Sequence, residues 1–564
     1  MALSRGALYG IIIVVVILAI AAAYFLTLPP APAPTTPVAT PTVTTPTATT
    51  PTVTTPTATT PVVEYKRTLV IGTDLDNQAL DVQQASWTTL ANWYAFSPLV
   101  AFDQNRNVVT DLAESYEIQE GGKVLIVKLP KDLKFPITNN PLNARTVNES
   151  VYRYIRLSPY STDWIELNHT EIIDDYTIKF VFNNPPGPLW AVITSEYGAP
   201  VDVEYAKKVG DSEFNAHPIG AGPFIIKEWV KGSQTILVPN PNYKTNLPFV
   251  ENKGPNPYLD QVIIRVITDD LTRVNEFLAG NIDILAAVPP QYVDKLKADP
   301  NTILHEFAYG GYHFMIFNLE KPQFKDKNVR KAIYLALNRD DFATVNDYTT
   351  EPQYSFISPG MLCYNSTIEE YARKNLGYNL EEAKRLLDEA GWKMTPDGVR
   401  KKGDVVLSFV LDVPNDNPRL RKIAPIIQEQ LSKIGIKVEL REYEQHYIRE
   451  KVWRKDFEAA LNVFAWVDPD GDMAYWLHSG RAANSTYVNP EVDKLFDAGM
   501  STFDLKERTK IYSRLQMILL EDLPVIPLQY PKQYVAVHKN VEGVKFVLHT
   551  SPLIYLNDVK VRKS

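Results

Sequence analysis

The fold class this chain predicts is α/β in at least two domains, on three observations. A body of roughly 500 residues begins near Glu64 and is too large for a single hydrophobic core. Along it, runs with the two-residue period of strands alternate with runs of helical period. One stretch, 405–440, reads as strand, helix, strand at the spacing of a parallel pair joined by a crossover.

Taken in order, the chain opens on an apolar run from Ala7 to Leu28, at about 22 residues long enough for a bilayer core and longer than the core of a signal peptide. Arg5 and the amino terminus are the only positive charges before it, and no charge follows until Glu64, so the charge bias places the N-terminus inside and the rest outside. Residues 1–28 are therefore expected to be a leader and single-pass membrane anchor, with the body extracellular. Two other readings stay open. One is a secretory signal with a long apolar region. The other is an archaeal pilin-like leader, in which Leu3-Ser-Arg-Gly6 before the run marks cleavage after Gly6 and the anchor is retained. No cysteine lies near the N-terminus, which excludes a lipoprotein anchor. Residues 29–63 are a Thr/Pro tract with a proline every four or five residues, as in Pro37-Val-Ala-Thr-Pro41 and Pro51-Thr-Val-Thr-Thr-Pro56. Such a segment is expected to be an extended, O-glycosylated polyproline linker reaching on the order of 100 Å.

In the body, Thr68-Leu-Val-Ile-Gly-Thr73 and Val124-Leu-Ile-Val-Lys-Leu129 read as buried strands, and Tyr176-Thr-Ile-Lys-Phe-Val-Phe182 alternates. Val329, Ile333, Ala336 and Leu337 line one face of a helix. Asn379-Leu-Glu-Glu382 opens another as a capping box, with Leu380, Ala383, Leu386, Leu387 and Ala390 as its stripe and Gly391 as its stop. In the strand–helix–strand unit, Val405-Val-Leu-Ser-Phe-Val-Leu411 is followed by Asn417 as N-cap and Pro418 in the first turn. Ile423, Ile427, Leu431 and Ile434 form the buried face, Gly435 ends the helix, and Ile436-Lys-Val-Glu-Leu440 is the second strand. Ligands in open sheets bind beyond the carboxyl ends of strands, which makes Asn415 and Asp416 candidates for a cleft or, equally, an ordinary polar turn.

Composition excludes several function classes. With 58 Lys+Arg against 66 Asp+Glu the chain is mildly acidic, which argues against nucleic acid as partner. Cys363 is the only cysteine, so no intrachain disulfide can form. Sequons at Asn148, Asn168, Asn365 and Asn484 are compatible with glycosylation. No G-x-S-x-G, H-E-x-x-H or Walker-type loop is present, and the eight histidines show no i, i+4 pair suited to zinc. No cofactor and no enzymatic activity are expected; a tethered glycoside hydrolase is the enzymatic alternative, since carboxylate pairs are plentiful. The body shows no internal repeats of the kind an adhesive or surface-layer protein would carry.

Seven motifs in order then carry a resemblance. His217-Pro-Ile-Gly-Ala-Gly-Pro-Phe224, Trp229 and Asn240-Pro-Asn-Tyr243 resemble the P-x-G-T-G-P-Y … W … N-P-x-Y signature of the family 5 extracellular solute-binding proteins, the dipeptide and oligopeptide receptors of ABC importers. Ala279-Gly-Asn-Ile-Asp283, Asn328 to Arg339, Ala383 through Gly391-Trp392 to Asp397-Gly398, Asn484-Ser-Thr-Tyr487, Asn489-Pro-Glu-Val-Asp493 and Leu523-Pro-Val-Ile-Pro-Leu528 continue it. The resemblance implies a two-lobed clamp. Lobe I would comprise 64–309 plus 526–564, with an extra subdomain inserted at about 100–215, and lobe II 310–525. Crossing strands are expected near Tyr309–Asn318 and Val525–Val537. The implied partners are a captured solute and the permease subunits of an ABC importer.

The resemblance also bears on the ligand. Family members often place an Asp three residues after a Trp to hold a peptide amino group; in Trp466-Val-Asp-Pro-Asp-Gly-Asp472 that position is Pro469, with Asp468 and Asp470 on either side. An oligopeptide ligand is the first expectation. An oligosaccharide is the alternative, with Trp466 and Trp476 stacking on sugar faces and the carboxylates of Asp468 and Asp470 accepting from hydroxyls; a third reading makes these aspartates caps of a turn. An EF-hand is rejected, because positions six and twelve counted from Asp468 are Met473 and Ser479 rather than Gly and Glu, which leaves only casual cation binding.

Overall fold

The computed structural model describes residues 64–480 and 486–563. The expected anchor, the Thr/Pro linker, the processing site at Gly6 and the Asn484 sequon lie outside the described residues. No helix among the described residues is long and apolar enough to cross a membrane.

The chain enters the main sheet with β1 (Thr68–Thr73). It then builds a separate four-stranded antiparallel sheet from β2 (Ser115–Gln119), β3 (Val124–Lys128), β4 (Leu167–Asp174) and β5 (Thr177–Phe182), in the order β2-β3-β5-β4. Helix α1 (Ala144–Leu157) lies between β3 and β4 in sequence. β6 (Phe224–Val230), β7 (Gln234–Pro239), β8 (Gln261–Val266), β9 (Ile284–Leu285) and β10 (Thr302–Ala308) return to the main sheet. β11 (Tyr312–Phe317), helix α2 (Lys327–Ala336), β12 (Thr350–Pro352) and α3 (Leu380–Glu389) follow. Then come β13 (Ser408–Pro414), α4 (Pro418–Ser432), β14 (Lys437–Tyr443) and β15 (Ala459–Phe464). Last are α5 (Pro469–Leu477), α6 (Leu505–Asp522) and β16 (Val525–His538).

Twelve strands share the main sheet, in the order β14-β13-β15-β11-β16-β9-β1-β8-β7-β6, with β10 and β12 also paired to β16. β16 is fourteen residues long and belongs to both halves. Up to Gln529 it pairs with β11, and from Lys532 onward with β10 and β9. The sheet therefore divides at β16 into two lobes, joined there and at the β10–β11 connection. At that connection backbones approach too closely for a side chain: a Cβ on Gly311 would sit 2.1 Å from the Phe464 carbonyl oxygen, and one on Gly360 1.9 Å from that of Tyr309.

The strand–helix–strand unit forms as its sequence dictates. The Asn417 side chain accepts from the Leu420 N–H at 3.2 Å, and Pro418 occupies the first turn, where no N–H is needed. Ile423, Ile427 and Leu431 are fully buried, so truncating any one to alanine costs about 2–5 kcal/mol. Gly435 ends the helix in the left-handed region (φ 81°), and β14 runs parallel to β13. The first strand begins later than expected: Val405–Val406 belong to a small exposed antiparallel sheet, and β13 starts at Ser408. At α3 only half of the capping box forms. Asn379 accepts from the Glu382 N–H at 3.0 Å, but its own N–H donates to the Leu335 carbonyl instead.

The segment expected as an inserted subdomain packs in a way periodicity does not reveal. Its core is continuous with that of the second lobe. The Trp190 ring stacks on Phe503 (4.2 Å between centroids, 14° between planes), and its Nε1–H donates to the Phe503 carbonyl at 2.7 Å. Arg106 reaches across as well, donating to the carbonyls of Pro359 and Met361. The first lobe keeps a separate core around Leu69, Ile71, Phe224, Ile284 and Val535.

Candidate functional site

The carboxyl ends of the parallel strands in the two lobes converge on one cleft of about 620 Å³. From the first lobe, Asp74 follows β1 directly, and Ala286 and Ala287 follow β9, which is parallel to it. From the second lobe, Asn417 and Arg419 follow β13, and Ala465 follows the parallel β15. Between them lie Tyr309 and His313 at the start of β11 and Pro531 to Tyr534 in the middle of β16. Both half-sheets thus present the end at which open α/β sheets bind ligands.

The floor of the second lobe is fixed by a hydrogen-bond chain. Gln529 donates from Nε2 to His313 Nδ1 at 3.1 Å and accepts from Thr350 Oγ1 at 2.9 Å. The His313 proton therefore resides on Nε2. Burial, helped by the charge of Arg419, pushes the His313 imidazole down to about 3, so it stays neutral in ordinary conditions.

The charges facing the cleft are few. Lys532 is bracketed by Glu351 at 2.5 Å and Glu306 at 3.2 Å. Arg419 differs: among the described residues no carboxylate lies within ion-pair distance of it, and burial pulls its guanidinium below the ordinary value, though an arginine remains charged. It also sits in the first turn of α4, where the helix dipole disfavours a cation by about 0.3–1 kcal/mol. A half-buried cation kept where neither a partner nor the dipole supports it is suited to an anion supplied from outside.

The residues singled out from sequence fall differently. Asn415 and Asp416 are exposed beside the cleft; Asn415 donates its N–H to the Tyr443 carbonyl and Asp416 accepts from the Gln445 N–H, so the lining residues are two and three positions further on. Trp466 is half-buried next to the cleft-lining Ala465 but does not itself line the cleft; its ring sits edge-on to His549 at 6.0 Å, and the His549 ring is 6.0 Å from that of the cleft-lining Trp93. Trp476 is core, 1 % exposed and edge-on to Phe314 and Tyr475.

Asp468 and Asp470 form a buried ion triad with Arg508 of α6. Asp468 accepts from both terminal nitrogens at 2.7 and 3.0 Å, and Asp470 accepts at 2.7 Å. Asp468 is also the N-cap of α5, accepting from the Asp470 N–H at 3.0 Å, which is the capping role held open from sequence. Burial raises the Asp470 carboxyl against the pull of Arg508. Neither aspartate faces the cleft. Among the described residues no cluster of His, Cys, Asp and Glu could hold a metal ion.

Several motif residues prove to be structural. Arg339 is fully buried, donating to the Pro527 carbonyl at 3.0 Å and lying over the rings of Tyr334 and Tyr354. Asn240 donates to the Gly222 carbonyl at 2.8 Å, and a Cβ on Gly222 would meet the Tyr94 and Ala95 backbone at 2.5 Å.

Comparison with known proteins agrees with this architecture. The family profile "Bacterial extracellular solute-binding proteins, family 5 Middle" matches residues 107–485. The oligopeptide-binding protein AppA of Bacillus subtilis is 30% identical over 502 residues, covering 85% of this chain and 89% of AppA. The solved structure of that AppA with a nonapeptide superposes with a TM-score of 0.65 at 27% identity, over 89% of this chain and 100% of AppA. HbpA2 from Haemophilus parasuis gives a TM-score of 0.76 at 23% identity, over 88% of this chain and all of that one.

Proposed function

Because the chain belongs to the family 5 extracellular solute-binding proteins, we propose that it is the extracytoplasmic receptor of an ABC importer, capturing oligopeptides by lobe closure and delivering them to the permease. One observation carries the ligand class: the cleft between the strand ends of both lobes holds, in Arg419, a half-buried guanidinium with no carboxylate partner among the described residues. A peptide carboxylate supplies what it lacks, in the bidentate geometry that guanidinium favours. Closure around such a ligand shifts an open–closed equilibrium toward the form a permease would engage.

The oligosaccharide alternative loses three of the four residues that suggested it, since Trp476, Asp468 and Asp470 are committed to the core. The lobes proposed are 64–309 with 526–564, carrying the subdomain at about 100–215, and 310–525. Residues 7–28 are proposed as a single membrane anchor with the body outside, and 29–63 as the leash that keeps the receptor near its permease and raises effective concentration.

Calorimetry of the full chain against short peptides and α- and β-linked oligosaccharides tests the reading. Peptides are expected to bind one to one without being consumed, and Arg419→Ala to weaken them by about 1.5–3 kcal/mol, the worth of a charge-assisted hydrogen bond. Turnover of the ligand would refute the receptor role, and binding of sugars alone would refute peptide as cargo.

A further inference from the structure

The acids around the cleft are almost all committed. Glu306 and Glu351 share Lys532, Asp347 pairs with Lys422 at 3.1 Å, and Asp468 and Asp470 belong to Arg508. In the loop after β1, Asp76 is committed too, accepting from Trp229 Nε1 at 2.8 Å, the Gly232 N–H at 2.6 Å and the Asn77 N–H at 2.8 Å. Asp74, two residues earlier, is the exception. It lines the cleft half-buried, and among the described residues no cation lies within ion-pair distance of it and no group donates a hydrogen bond to it. The contrast with Asp76 shows that the loop does not need the Asp74 carboxylate for its shape.

Two uncompensated charges of opposite sign therefore face one cleft from opposite lobes, Asp74 from the carboxyl end of β1 and Arg419 from that of β13. Closing the lobes removes water from both. A charge desolvated without a partner is costly, so a ligand that neutralises only one end leaves the closed state penalised by the other.

We infer that Asp74 receives the α-amino group of the ligand on the first lobe while Arg419 receives a carboxylate on the second, so that the cleft selects peptides with both termini free. The inference rests on the peptide-receptor reading above and adds to it the place of the amine anchor: the first lobe, not the Trp466–Asp472 stretch, whose Asp468 and Asp470 are held by Arg508. It makes closure itself the step that checks both ends, because each end is held by a different lobe.

The test is titration calorimetry of the full chain with alanine peptides of two to six residues, each as the free zwitterion, the N-acetyl form and the C-terminal amide. At the length that binds best, either block is expected to weaken binding roughly ten- to hundredfold, the value of one charge-assisted hydrogen bond. Asp74→Asn, which keeps the shape of the side chain, is expected to lower affinity for the free peptide to that for the acetylated one. It should leave the acetylated peptide as before, so that discrimination at the amino end disappears while discrimination at the amide end remains. Equal binding of free and acetylated peptides to the unaltered chain would overturn the inference and leave the receptor role standing. So would an Asp74→Asn variant that still discriminates, because another carboxylate would then hold the amine. Failure of every peptide, blocked or free, to bind would overturn the peptide-receptor reading itself, and the inference with it.

Discussion

Arg508→Met would leave the carboxylates of Asp468 and Asp470 facing each other in a site where the three side chains are 0, 0 and 3 % exposed. The arginine donates three hydrogen bonds to them, at 2.7, 3.0 and 2.7 Å, and a fourth to the Gly499 carbonyl at 2.9 Å. Methionine replaces the volume of the stem but none of these. Removing one partner of a buried pair costs about 3–5 kcal/mol, because the charge left behind has neither water nor counter-ion. The variant has one route of escape. Burial, with the charge of Asp468, already raises the Asp470 carboxyl against the pull of Arg508, so with the guanidinium gone it takes up a proton more readily. A folded-state pKa raised above the unfolded value means that stability is recovered as pH falls toward the unfolded value. The deficit should therefore shrink by roughly 1.4 kcal/mol per pH unit as the Asp470 carboxyl titrates. Urea unfolding of the full chain, followed by tryptophan fluorescence at pH 7.5 and pH 5, reads both quantities. The expected result is a loss near 4 kcal/mol at the higher pH, distinctly smaller at the lower, with much of it restored by adding Asp468→Asn and Asp470→Asn. A loss below about 1 kcal/mol, or one indifferent to pH, would show that the triad does not hold α5 to α6 in the way described.

Two further outcomes follow from features beside the cleft. Glu196 is 1 % exposed, receives a hydrogen bond from the cleft-lining Thr88, and is pushed up to about 8 by burial. Its contribution to stability is fully present below the ordinary carboxyl range and lost as pH rises through about 8, so Glu196→Gln should flatten the decline in urea midpoint between pH 5 and 8.5; an unchanged slope would count against a neutral buried acid there. Trp190→Ala removes the stack on Phe503 and should cost about 3–5 kcal/mol, with faster amide exchange across β2–β5; a change confined to the first lobe would contradict the continuous core.

How much was legible in the sequence can be argued from particular residues. The β13–α4–β14 unit was readable because its periodicity, its N-cap at Asn417 and its stop at Gly435 are all local. The two crossings near 309–318 and 525–537 followed from the family resemblance and meet β11 and β16. Asn415 and Asp416, singled out because ligands of open sheets bind beyond strand carboxyl ends, do not line the cleft but precede the lining Asn417 and Arg419 by two and three positions. Arg419 carried a signal that went unused: a cation in the first turn of a well-capped helix sits at the wrong end of the dipole. Asp468 and Asp470 could not be placed, since their partner lies 40 and 38 residues away and an acid-rich turn reads the same whether it faces solvent or a buried guanidinium. The join between Trp190 and Phe503, 313 positions apart, has no local trace at all.

The shared strand β16 also sets an order of events during synthesis. Strands β9, β10 and β11 all wait for it, yet it is the last of the twelve to be made. At about 5–20 residues per second, β1 is roughly half a minute to a minute and a half old before residue 538 emerges. Throughout that interval each lobe carries an open sheet edge, at β9 in one and β11 in the other, and such edges are templates for pairing with a neighbouring chain. A ribosome that stops at residue 524 releases neither one finished lobe nor the other, but a chain with two adhesive edges, so the final forty residues decide whether the first five hundred are a receptor or a seed for aggregation.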